Sequence, residues 1–213
     1  MALEEFWRNV RRAARLIRPP NVVADSPRIS VDEITERLGT DDLWITRGAV
    51  AGYVEADFAF LSPAERDRLT KAVAQFLIVA NGLDPRQKVT SAQFEQALHP
   101  FVQIVEMLAF DRYGDAEAFR IGKEVEQKLA ANWSPYLDHL RFRTGLDSTD
   151  DPALWVWVFV TETGEYDDAT FLARADVIED VLRPVAWSVA PEGRVYLHFR
   201  TTSDLLDTQG VPA

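Results

Sequence analysis

Two sets of side chains in this chain have the type and spacing to do chemistry, one acidic and one basic. Glu162, Glu165, Asp167 and Asp168 lie close together in sequence, and an all-oxygen donor set of this kind suits Mg²⁺ or Mn²⁺. The competing role for such residues is to cap a helix or solvate a turn. Arg141, Arg143, His198 and Arg200 form the basic set, on segments that flank Trp155, Trp157 and Phe159. Sheets that hold single-stranded nucleic acid or a nucleotide interleave basic groups with aromatic rings in this way. The same arginines can equally stack on tryptophan within a core and pair with carboxylates. The three histidines are scattered, cysteine is absent, and neither GxSxG nor GxxxxGK[ST] occurs. Zinc, catalytic-triad and P-loop chemistries therefore have no visible basis. No catalytic residue and no cofactor is expected.

The element that must position the basic set is Ala153 to Val160, ALWVWVFV. Trp155, Trp157 and Phe159 alternate with Leu154, Val156, Val158 and Val160, so a strand here shows aromatics on one face and aliphatics on the other. With both faces apolar, it should be the centre of a sheet covered on both sides. The flanking segments LRFRTGLD (140–147) and LHFRTTSD (197–204) echo one another, with leucine, phenylalanine and threonine on one face and the basic residues on the other. Between the second and third strands, a helix is expected from about Ala169 to Trp187, with Pro184 near its end. The order β-β-α-β gives a hairpin plus a right-handed crossover that sets the third strand parallel to the second. The acidic residues before the central strand, Asp147, Asp150 and Asp151, cannot join those after it, because eight extended residues separate them by about 26 Å.

Everything before residue 132 has helical spacing. Phe6, Val10 and Ile17 make one stripe of a first helix, and Arg8, Arg11, Arg12, Arg15 and Arg18 occupy the rest of it. Ser30-Val31-Asp32-Glu33 reads as a capping box, and with Gly39 and the following helix it has the outline of a helix-turn-helix. Only Arg47 is available there to meet phosphate or bases, so DNA binding is not expected. Ser62 with Glu65, Thr90 with Gln93, and Asp115 open three further helices. Pro100 is expected to kink or break the second of these near His99. At Asn132 to Pro135 the period changes from 3.6 to 2, which marks the expected domain boundary.

The formal net charge is −11, so the chain as a whole should repel nucleic acid and anionic membrane. Residues 1–18 carry five arginines against two glutamates. That local +3 leaves −14 on the rest and marks Arg8, Arg11, Arg12 and Arg15 as candidate interaction residues. Glu4 and Glu5 stand where a signal peptide needs basic residues, and cysteine is absent, so a cytoplasmic protein is expected.

Asp150-Asp151-Pro152-Ala153 leading into the tryptophan strand and Thr161-Glu162, followed by Phe199-Arg200-Thr201 and Ser203-Asp204, resembles a module of small uncharacterised bacterial proteins. Those proteins are often encoded beside another small gene. The likeness covers about residues 136–206 and implies a partner protein rather than an activity. The expected fold is α+β, with a helical domain over 1–131 packed on a ββαβ module over 136–213 that carries a three-stranded mixed sheet. The expected role is that of a non-enzymatic cytoplasmic interaction or regulatory protein acting with a co-encoded partner, a second copy of the chain being another candidate partner. The alternative is a metal-dependent enzyme, or a nucleotide or nucleic-acid binder, using the acidic edge or the Trp/Arg face of the sheet.

Overall fold

A computed structural model describes residues 3–17, 40–84, 90–161, 167–190 and 193–201. Arg18, the Ser30–Glu33 capping box, Glu162, Glu165 and residues 202–204 of the second echo lie outside them. The fold is α+β, with helices predominating in the first half and a three-stranded mixed sheet in the second. The chain forms two compact units, Met1–Phe110 and Asp111–Ala213.

The first unit contains α1 (Leu3–Ile17), α2 (Thr40–Val50), α3 (Pro63–Asn81) and α4 (Ser91–Leu108), with a 3₁₀ turn at Glu55–Phe58. Both expected capping boxes form. The Glu65 amide donates to Ser62 Oγ at 3.3 Å while the Ser62 amide donates to Glu65 Oε2 at 3.2 Å, and Thr90 and Gln93 exchange the equivalent pair. These bonds satisfy amides that the first helical turn cannot. Phe6, Trp7, Val10 and Ala13 are the buried stripe of α1. The Phe6 ring meets Tyr53 and Phe58 edge-on, with centroids 5.7 and 5.4 Å away. Pro100 does not break α4, which runs through it to Leu108. A proline costs its helix the bond to the carbonyl four residues back, here Gln96, and this buried proline sits among packed neighbours that can hold the helix together regardless.

The second unit contains α5 (Ala116–Leu129), a 3₁₀ turn at Ala130–Asn132, β1 (Leu137–Leu146), β2 (Pro152–Val160), α6 (Asp168–Val189) and β3 (Arg194–Thr201). The sheet order is β1-β2-β3, with β1 antiparallel and β3 parallel to the central β2. Pro184 neither ends nor shortens α6. The division at Phe110/Asp111 precedes the change of period at 132–135, because α5 packs on β1 and α6. The helix ending at Leu129 thus belongs with the sheet, where the sequence expectation set it in the domain of residues 1–131.

Asp115 shows how α5 is tied there. Its Oδ1 accepts from the Ala118 amide at 2.7 Å, capping the helix, and also from Thr144 Oγ1 at 2.7 Å, while Oδ2 accepts from the Thr144 amide at 3.1 Å. One carboxylate therefore anchors both the helix start and the outer edge of β1. Farther along that edge the Phe142 amide donates to the Arg112 carbonyl at 2.7 Å, the Gly114 amide donates to the Phe142 carbonyl at 2.8 Å, and Arg112 Nε donates to the Leu140 carbonyl. Inside, Tyr113 Oη donates to Glu126 at 3.0 Å, and Arg112 pairs with the same carboxylate.

Candidate functional site

Strand register sorts the second unit's residues into two faces. Leu140 and Phe142 of β1, Leu154, Val156, Val158 and Val160 of β2, and Val195 of β3 are buried on the face that α5 and α6 cover. The other face is built of cross-strand rows. Arg143, Trp155 and Tyr196 form one row, Arg141, Trp157 and His198 the next, and His139, Phe159 and Arg200 the third. Arg141, Arg143, His198 and Arg200 do share a face with the three aromatics of β2, the placement that period-two alternation implied.

The aromatic face is less deeply covered than the aliphatic one. Trp155 and Trp157 are half-buried, whereas Phe159 is only 4 % exposed. Neighbouring strands supply much of the cover. The His139 ring stacks on Phe159 at 4.3 Å and 8°, and the Arg141 guanidinium lies 5.0 Å from the centre of the same ring. Trp155 stacks with Tyr196 at 6.0 Å, and Trp157 with His198 at 5.7 Å. At Gly145 an added Cβ would come within 3.2 Å of the Trp155 indole, so the missing side chain leaves room for that ring to lean over β1.

The only strand carboxylate beside those rings among the described residues is that of Asp138, which is hydrogen-bonded to His139. Arg143 and Arg200 are exposed, and neither they nor Arg141 form an ion pair among the described residues. Burial pulls the Arg141 pKa below the usual guanidinium value, with Asp111 opposing and Arg112 adding to the shift. Its Nε is buried and has no hydrogen-bond partner. A guanidinium stays charged in proteins, so this one is a desolvated cation with a donor unused.

Acid appears at one end of the face, in the turn between β1 and β2. Asp147 accepts from the Thr149 amide at 2.8 Å, Thr149 Oγ1 at 2.7 Å and Tyr196 Oη at 2.8 Å, and pairs with Arg194 at 3.2 Å. The bonds from Thr149, followed by that from Tyr196, hold its carboxyl far below the usual carboxylate range. A carboxyl depressed on folding adds stability above its unfolded pKa and loses it as pH falls toward the folded value. Wild-type stability in urea should therefore decline from about pH 5 downward more steeply than that of Asp147→Asn. Parallel declines would show that the turn network contributes nothing to acid sensitivity.

The acidic set beyond β2 is used differently. Asp167 is the N-cap of α6, its Oδ1 accepting from the Thr170 amide at 2.8 Å, and Asp168 is exposed in the first turn. No group of three potential metal ligands occurs among the described residues. His139 hydrogen-bonds Asp138 beside it. In the first unit Arg8, Arg12 and Arg15 are exposed along one side of α1 and Arg11 is half-buried. Sequence reasoning passed over Tyr196, Arg112 and Glu126, whose partners lie far away along the chain. Among the described residues no helix is long and apolar enough to cross a membrane. No protein-family model matches the chain, and no curated protein matches it at a significant level.

Proposed function

We propose that this chain is a non-enzymatic, cytoplasmic binding protein that engages an acidic partner protein, encoded nearby, through the open face of its C-terminal sheet. The observation that carries this reading is the concentration of Arg141, Arg143, His198 and Arg200 around Trp155, Trp157 and Phe159 on one strand face, where the nearby carboxylates Asp138 and Asp147 bond His139, Tyr196 and Arg194 and pair with none of the four, in a chain of net charge −11. Half-buried rings among exposed guanidinium groups also match the composition of protein interfaces, which favour tryptophan, tyrosine and arginine. The overall negative charge disfavours nucleic acid, whose affinity rests on phosphate contacts.

Co-expression with the product of each flanking gene tests the reading. Arg143→Glu with Arg200→Glu should weaken the resulting complex by tenfold or more at low salt, and by less at high salt, while the melting temperature barely moves. A complex indifferent to both charge reversals at every salt concentration would refute the assignment.

A further inference from the structure

The two outer edges of the sheet differ. Along β1 the edge is closed from Leu140 to Thr144 by main chain and side chains of residues 112–115. Along β3, no main-chain group between Arg194 and Arg200 has a backbone partner beyond β2 among the described residues. Proteins usually blunt a free edge with a bulge, a proline or charged side chains. The pairing of β3 with β2 is regular over eight residues and β3 contains no proline, so charge is what guards this edge, and Arg194 and Arg200 on the open face admit an acidic strand while repelling a basic one.

We infer that β3 is a docking edge, on which the partner lays an extended segment of alternating acidic and apolar residues as a fourth strand. This deepens the proposed function and rests on it. The edge supplies main-chain donors and acceptors at fixed spacing, and side chains on either side select the sequence. On the helix-covered face, Leu197 and Phe199 are half-buried at the rim, so the added strand presents apolar residues there. On the open face the rim carries Tyr196, His198 and Arg200, while Arg194 is already held by Asp147 and Asp151. Acidic residues opposite His198 and Arg200 complete their two rows. Directly opposed residues in a sheet interact across about 5 Å, so charge decides which strand fits. A second copy of β3 brings Arg194, Tyr196, His198 and Arg200 to the open face and no carboxylate, which sets arginine against arginine across the new pair and disfavours self-pairing.

The test uses the full chain and a synthetic eight-residue peptide of alternating valine and glutamate. Two controls accompany it, a valine-lysine peptide and a valine-glutamate peptide N-methylated at every second residue. The valine-glutamate peptide should bind and protect alternate β3 amides from hydrogen exchange, N-methylation should weaken it at least tenfold, and the lysine peptide should not compete. Equal binding of the N-methylated peptide would overturn the docking edge while leaving charge recognition by the open face intact. Loss of binding in Arg200→Glu with no effect of Arg143→Glu would support the edge and count against the wider face. A chain that is already dimeric through β3, or one whose β3 amides are protected by a single-stranded oligonucleotide and not by the peptide, would overturn the inference.

Discussion

Phe142→Ala is expected to destabilise the C-terminal unit by about 3 to 5 kcal/mol, the usual cost of emptying a packed aromatic site. The ring is 1 % exposed and stacks on Tyr113 with centroids 5.9 Å apart and planes 15° from parallel. It lies on the face shared with Val156, its neighbour across β2, and against α5 at Gly122. The main-chain bonds that Phe142 makes to Arg112 and Gly114 survive the substitution, so the measured loss reports the side chain. Urea unfolding read through hydrogen exchange at β1 and β2 isolates this unit from the helical one, whose transition need not coincide. A change below about 1 kcal/mol would mean that the α5–β1 contact is not the core of the unit.

Gly122→Ala should also destabilise, against the local trend. Alanine in place of glycine within a helix ordinarily gains up to about 1 kcal/mol. At this position an added Cβ would stand 2.5 Å from Tyr113 Cε1 and 2.7 Å from Phe142 Cδ2. Both rings are buried, and overpacking of this kind costs about 1 to 3 kcal/mol or more. The clash should therefore win, for a net loss of up to about 2 kcal/mol. In a Phe142→Ala background the penalty should shrink, because the Tyr113 ring can move into the vacated space. Strict additivity of the two substitutions would show that they do not share one cavity.

The same residues show where sequence reading stops. Helix starts at Ser62, Thr90 and Asp115 were legible because a cap spans only three or four residues. The faces of β1, β2 and β3 were legible because the period of two leaves a side chain only two directions. The affiliation of α5 was not. Its ties to the sheet run from Tyr113 and Gly122 to Phe142, and from Asp115 to Thr144, contacts across some twenty to thirty residues that leave no local pattern. Alternation likewise placed Trp155 and Trp157 on one face but could not say how far that face is covered, since cover comes from Tyr196, His198 and Gly145 on other strands. Asp167 carried two readings, ligand and cap, and its Oδ1 accepting from the Thr170 amide establishes the cap.

The parallel pairing of β3 also imposes a schedule on synthesis. The β1–β2 hairpin is complete at Val160, yet the strand that closes the second side of β2 ends at Thr201. At roughly 5 to 20 residues per second, a ribosome takes about 2 to 8 s to cover that stretch. Until β3 is available, any β1–β2 hairpin that forms leaves one side of LWVWVFV unpaired, a composition that favours sheet association between chains. Neighbouring nascent chains on one polysome meet this hazard together, and each leaves it only when its own crossover helix brings β3 home.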